Sequence, residues 1–327
     1  MLKIFDLFSG CGGFRLAFEN AGFNCTGFCE QDKHAVKLYK AFFNTENEVY
    51  FNDVRTILPE ELPQFDILTA GFPCQSFSIA GKKLGLNDTR GSLLFEVLRI
   101  LQKTKPKCVV LENVKGLFST DNGKVFCFIV KTLAELGYHV EWGLFNTKYF
   151  GLPQNRERVF IIGLLGEKNG GKILPLSINA KNNNSENSET SLIYWKNSRS
   201  QWVEEKRRCI NALKTQTDLC RQQLIKAGTL RTYNDGKGFR AVTDDKCPTI
   251  PARAREDGSG QAIILECSLR RLTPLECFRL QGFPDDIVKT AYELGISDAQ
   301  LYKMAGNTVS IPVVQAIAEK IYKTWSY

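Results

Sequence analysis

The sequence predicts an α/β protein: a parallel sheet covered by helices on both faces, joined to a second domain that is smaller and irregular. Three observations predict it. Short apolar runs alternate with helical periodicity through residues 3–164, the spacing of strand–helix–strand units. The polar stretch 179–191, rich in Asn, Ser and Glu, breaks that alternation and reads as a linker or surface excursion. A chain of 327 residues also divides more naturally into two domains than one.

In chain order, strands are expected at Lys3–Phe8, Phe23–Cys29, Ile67–Gly71, Cys108–Glu112, Val140–Asn146 and Val159–Leu164. Each is a short run rich in apolar and β-branched residues, ended by a Gly, Pro or polar cluster. Helical periodicity fits Gly13–Ala21, Lys33–Phe43, Leu93–Lys103 and Val125–Leu136. From Ile193 to about Leu265 the pattern is gone. A charged helical piece at Trp202–Leu224 is followed by loops rich in Gly, Pro and Arg, then a strand-like run at Ala262–Cys267. The last helix, Val313–Tyr322, has the amphipathic pattern of a core-packing element. No internal repeat is present.

Composition narrows the class. Hydrophobic content of 43% is that of a soluble globular protein, and no apolar stretch approaches the roughly 20 residues of a membrane span. The amino terminus enters a strand at once, with no signal-peptide pattern, so a cytoplasmic location is expected. Eleven cysteines without a CxxC pair read as free thiols in a reducing compartment. With two histidines, His34 and His139, no metal site is expected. The net charge of +8 is compatible with a polyanionic partner.

Chemistry concentrates at strand ends. Gly71-Phe72-Pro73-Cys74-Gln75-Ser76 sets a thiol in a Gly/Pro turn after an apolar strand, where open α/β sheets bind ligands. Asp6-Leu7-Phe8-Ser9-Gly10-Cys11-Gly12-Gly13 is strand, glycine turn and helix start, a setting for close backbone approach and free N–H groups. Arg15 stands where G-x-G-x-x-G needs its third glycine, which argues against a dinucleotide. Glu30, ending the second strand, is placed to hold ribose hydroxyls, and Asp53 an adenine amino group. Glu112 ends an apolar strand, either as an ion-pair partner or as a general acid with a raised pKa. Arg156 and Arg158 share a face of an extended segment, with Glu157 opposite. One can enter a cleft while the other braces it.

Taken together and in order, these segments resemble the DNA cytosine-C5 methyltransferases, a family that includes bacterial restriction–modification enzymes. The matches are Asp6-Leu7-Phe8-Ser9-Gly10-x-Gly12-Gly13, Gly71-Phe72-Pro73-Cys74-Gln75, Glu112-Asn113-Val114, Gln154-x-Arg156-x-Arg158, Arg271-Leu272-Thr273-Pro274-x-Glu276 and Gly306-Asn307. The resemblance implies a Rossmann-like, S-adenosylmethionine-dependent methyltransferase sheet with a smaller target-recognition domain. It assigns 1–178 and 301–327 to a discontinuous catalytic domain, and 179–300 to target recognition and the hinge.

The resemblance makes Cys74 the nucleophile that adds to cytosine C6, Glu112 the donor to N3, and Arg158 the group that stabilises O2, with Arg156 in support. It implies S-adenosylmethionine as cofactor. Phe8, Gly10 and Gly13 would form the floor of its site, Glu30 would take the ribose, Asp53 the adenine, and Pro73 would lie beneath the methyl donor. Asn307 would reach in from the C-terminal segment, with Asp6, Gly12, Val54, Gly71, Leu93 and Thr308 completing the set. The base must leave the duplex to meet the thiol. Residues 75–92 look like the family's mobile loop, with Gln75, Ser78, Lys82 and Arg90 as DNA contacts. In 226–255, seven cations stand against three carboxylates. Arg231, Arg240, Thr249, Arg253 and Arg255 are the expected contacts there, since Arg suits guanine and Lys suits phosphate.

The expected partners are double-stranded DNA and a separate restriction endonuclease for the same site, with the chain acting as a monomer away from membranes. An RNA cytosine methyltransferase with the same core is the nearest alternative, and the long basic insert disfavours it. An inactive DNA-binding protein is disfavoured because Cys74, Glu112 and Arg158 are all present. A nicotinamide oxidoreductase is disfavoured by Arg15.

Overall fold

The computed structural model describes residues 2–73, 93–166, 173–174, 176 and 272–325. It also describes the backbone of five strands between 229 and 271. The expected linker at 179–191 and helical piece at 202–224 lie outside the described residues.

The large sheet is built from β1 (Lys3–Leu7), β2 (Asn24–Cys29), β3 (Val49–Phe51), β4 (Ile67–Gly71), β5 (Cys108–Val114), β6 (Tyr138–Asn146) and β8 (Glu157–Leu165). Their order is β3-β2-β1-β4-β5-β8-β6. The chain winds outward from β1 in one direction, then restarts at β4 and winds the other way. That makes the β1/β4 boundary a topological switch point, where such sheets bind ligands. Helices α1 (Gly13–Asn20), α2 (Lys33–Phe42), α3 (Leu93–Thr104) and α4 (Lys124–Glu135) make the crossovers.

The expected all-parallel sheet is corrected at one edge. β8 runs antiparallel to both β5 and β6. The cause is connection length. β6 leads to β8 through a 3-10 turn at Thr147–Phe150 and the two-residue β7 (Gln154–Asn155). That link holds no crossover helix, and antiparallel neighbours need none.

Period-two alternation divides the core. Phe5, Leu7, Leu68, Ala70, Val109 and Leu111 join the α3/α4 cluster. Ile4, Ile67, Cys108, Val110, Phe160 and Ile162 join α1 on the opposite face. On α3, Leu94, Val97, Leu98 and Leu101 recur at helical spacing and are buried, each worth about 1.5–3 kcal/mol of burial. Asp32 caps α2, accepting from the backbone of His34 at 2.9 Å.

The C-terminal segment packs against this same face. It comprises α5 (Pro274–Arg279), α6 (Asp286–Glu293), α7 (Asp298–Asn307) and α8 (Ile311–Trp325). Val314, Ile317, Ala318 and Ile321 of α8 join α1 in one buried cluster, and Tyr322 meets Phe23 edge-on at 5.5 Å. Leu272, Phe278, Ile287 and Ile296 belong to the same cluster. An expected domain boundary at 300/301 therefore cuts through packed core; the chain has rejoined it by Leu272. Thr273 and Glu276 form a reciprocal capping box on α5, the S/T-x-x-E signature inside the Thr273-Pro274-x-Glu276 match.

A smaller antiparallel sheet has the order β10-β9-β12-β13. Its strands are β9 (Thr229–Thr232), β10 (Phe239–Ala241), β12 (Gln261–Leu265) and β13 (Ser268–Arg271). The two-residue β11 (Cys247–Pro248) leaves it and pairs in parallel with β7.

Candidate active site

The strand ends at the switch point line a cleft of about 540 Å³. The loop after β1 begins with Phe8 at φ +55°, an uncommon backbone state for an aromatic residue. Gly12, at φ +90°, caps α1 and leaves the loop turned back, with its N–H on Ser9 O at 2.9 Å. A Cβ on Gly13 would meet Thr308 Oγ1, and Val309 Cγ2 at 2.9 Å. Only glycine lets α1 and the C-terminal segment approach this closely.

Glu30 ties the walls together. One oxygen accepts from Gly10 N at 2.8 Å, and the other from Gln31 N at 2.9 Å and Asp32 N at 2.8 Å. Asp53 lines the cleft with its carboxylate held by Arg55, whose Nε lies 3.0 Å away. Lys303 Nζ reaches Asp32 Oδ2 at 2.5 Å and joins α7 to the start of α2.

Of the expected cofactor residues, Phe8, Gly10, Gly13, Glu30, Asp53, Val54, Gly71, Pro73, Leu93, Asn307 and Thr308 line the cleft. Asp6 and Gly12 do not. Gly12 sits beneath the Phe43 and Tyr39 rings. Asp6 is fully buried and accepts from Thr69 Oγ1 at 2.7 Å. Arg15 also turns away. Its guanidinium stacks 4.4 Å from the Phe43 ring centre and pairs with Glu19 and Glu48.

Burial pushes the Asp6 carboxyl up to about 7, against the opposing pull of Thr69 and Arg15; Glu30 adds to the rise. Between pH about 4 and 7 the folded chain keeps a proton on Asp6 that the unfolded chain has released. This group's contribution is therefore present in acid and lost as pH rises through about 7. Asp6→Asn cannot ionise, so its stability relative to the parent is expected to improve from pH 4 to pH 8. The gain should be of order 3–4 kcal/mol at most, about 1.4 kcal/mol per pKa unit. Thermal denaturation of both proteins across that range tests it, and a constant difference in Tm would refute it.

The second half of the site lies at the end of β5. Glu112 and Arg158 are diagonal neighbours across the β5/β8 ladder, with Oε1 and Nε 3.1 Å apart. Burial raises the Glu112 carboxyl above its ordinary pKa, while Arg158 and Arg156 pull it down. Arg156 is 2% exposed and donates to Gly306 O and Thr308 O, the latter at 2.6 Å. Burial and the nearby Arg158 lower its pKa, but a guanidinium stays charged. Arg156 thus braces the C-terminal wall while Arg158 meets the carboxylate. Glu157 points elsewhere, to Lys115 at 2.9 Å. Asn113 donates to Phe72 O at 3.0 Å and fixes the turn that leads to residue 74.

Cys74, Gln75, Ser78, Lys82 and Arg90 lie outside the described residues, as do Thr249, Arg253 and Arg255. Arg231 and Arg240 occupy paired register positions on β9 and β10. Sequence reasoning missed Asn52, Asp32 and Lys303 in the cleft wall. Asp32 carried a helix-cap signal, whereas nothing local marks Lys303.

Comparisons with known proteins bear on this arrangement. A family model described as C-5 cytosine-specific DNA methylase matches residues 2–323. The Type II methyltransferase M.Bsp6I of Bacillus sp. (strain RFL6) is 36% identical over 331 residues, covering 99% of this chain and 99% of that one. M.NgoBI, a Type II methyltransferase of Neisseria gonorrhoeae, is 39% identical over 316 residues, covering 97% and 92%. Among solved structures, S. pombe Dnmt2 methyltransferase superposes with a TM-score of 0.68 at 17% identity, over the full length of both chains.

Proposed function

This chain belongs to the family of C-5 cytosine-specific DNA methylases, and on that premise we propose that its cleft methylates a cytosine extruded from a specific short duplex sequence. The observation that carries the reading is the Glu112–Arg158 pair at 3.1 Å. It stands beside Gly71–Pro73 in one cleft wall, with Cys74 the next residue.

A cytosine C5 is a poor nucleophile until C6 carries a substituent. The Cys74 thiolate adds to C6, forming the S–C bond as ring electrons move towards N3 and O2. Glu112 donates its proton to N3, a task suited to a carboxyl whose pKa is raised by burial. Arg158 neutralises charge at O2. Anchored by its bonds to the Gly306 and Thr308 carbonyls, Arg156 holds the strand that delivers Arg158. Once C5 carries the methyl group, a base removes the C5 proton, elimination returns the thiolate, and N3 gives its proton back to Glu112.

The cleft chemistry suits S-adenosylmethionine. Glu30 and Asn52 offer polar atoms for a ribose, Phe8, Val54 and Leu93 offer apolar walls for a purine, and a Cβ on Gly10 would meet no heavy atom within 4 Å. When bound, this group supplies an electrophilic methyl to C5. Phe8, Gly10, Gly13, Glu30, Asp53, Pro73 and Asn307 would hold it.

The catalytic domain is discontinuous, with the chain returning near Leu272, and the intervening segment reads DNA. Arg231 and Arg240, at paired register positions on β9 and β10, are suited to a polyanion. Gln75, Ser78, Lys82 and Arg90 would contact the strand that carries the target; Thr249, Arg253 and Arg255 would add to sequence reading. The protein acts as a monomer in the cytoplasm beside an endonuclease of the same specificity.

Bisulfite sequencing of DNA from a host lacking C5-methylcytosine and expressing this chain tests the reading. Protected cytosines confined to one short motif are expected. No protection, with folded protein present, would overturn it.

A further inference from the structure

Asn146, at the end of β6, is 7% exposed, and its side-chain amide serves two segments at once, the turn after β6 and residues 155–156. Oδ1 accepts from the backbone N–H groups of Lys148 and Arg156, both at 3.2 Å. Nδ2 donates to Asn155 Oδ1 at 2.6 Å. Thr147 extends the hold: its N–H donates to Arg156 O at 3.0 Å, and its hydroxyl lies 2.6 Å from Ser310 Oγ.

What those segments do gives the amide its importance. Asn155 lies on β7, whose parallel partner β11 comes from the middle segment. Arg156, the next residue, braces the C-terminal wall of the cleft. Arg158, two residues on, meets Glu112. The chain thus passes within five residues from the middle segment to the reacting end of the site. Gln154 is wholly buried, and neither end of its amide has a partner among the described residues; Arg156 Nε has none either. Polar atoms are therefore left over for a second bonding arrangement at this junction, and the Asn146 clasp helps to fix the present one.

We propose that Asn146 is a positioning residue that couples the seating of the middle segment on DNA to the placement of Arg158 against Glu112. Correct sequence reading then raises the rate of the chemical step as well as the affinity. The inference rests on the methyltransferase function proposed above.

The test compares single-turnover methyl transfer on two duplex oligonucleotides. One carries the motif identified by sequencing, and the other the same motif with one base pair changed away from the target cytosine. Asn155→Ala removes one end of the clasp at an exposed residue; Asn146→Asp keeps both acceptor bonds and loses the donor. For both variants the rate on the correct duplex should fall about tenfold, the size of a typical coupling term. The rate on the altered duplex should change less than about twofold, so discrimination in rate collapses, with S-adenosylmethionine affinity unchanged.

Equal losses on the two duplexes would mean a structural role only and would overturn the proposal, as would no loss on either. Should Asn146→Asp fail to fold, Asn155→Ala decides alone. Absence of methyl transfer by the unchanged protein would overturn the enzymatic reading itself, and this inference with it.

Discussion

Cys74→Ala is expected to lower methyl transfer by more than about 10⁴-fold, the scale on which removing an attacking group acts, while duplex affinity changes little. The expectation follows from where the chain is anchored. β4 runs into Gly71 beside β5, and Asn113 holds Phe72 O at 3.0 Å. The residue after Pro73 therefore leaves a fixed point at the cleft wall. Alanine there removes one sulfur and no backbone contact, so folding and DNA association should persist. Without C6 addition, C5 has no route to sufficient nucleophilicity. Rapid-quench methyl transfer alongside electrophoretic mobility shift would separate the two quantities. Activity within tenfold of the parent would end the covalent mechanism.

The next largest effect is expected from Glu112→Gln, a loss of about 10²–10⁴-fold in the chemical step, the usual contribution of a positioned acid. Glutamine keeps the shape and one acceptor for Arg158 but cannot donate a mobile proton to N3. The pH profile adds a signature. A carboxyl raised by burial, as Glu112 is, stays protonated to higher pH than an ordinary glutamic acid. It loses competence as pH climbs past its shifted value. The parent should show that alkaline decline in kcat, whereas the variant should run low and lack it. An unchanged pH profile in Glu112→Gln would show that another group supplies the proton.

Much of this site was legible because its parts are local. The turn after β1, the carboxylate ending β2 and the Glu112-Asn113-Val114 run each lie within a few residues, and strand ends declare themselves by Gly, Pro and charge. The Arg156/Arg158 division was also readable, since alternation puts both on one face and leaves Glu157 on the other. What stayed hidden depends on partners far along the chain. Arg156 reaches carbonyls about 150 residues away, and Lys303 meets Asp32 across 271; no window of periodicity spans either. The antiparallel entry of β8 was missed because apolar alternation carries no strand direction. A motif names neighbours, not which of them faces inward, so it gave no sign that Asp6 is buried and bonded to Thr69.

The fit of Gly13 against Thr308 and Val309 has a consequence for biosynthesis. The cleft is walled by the glycine loop after β1 and by residues 306–309, which follow it much later in the chain. A nascent chain still lacking α7 has the glycine loop, the thiol turn and the catalytic carboxylate, yet an open-sided pocket. Truncation ahead of α7 is therefore expected to abolish methyl transfer, since the cleft then lacks the wall that Asn307 and Thr308 supply.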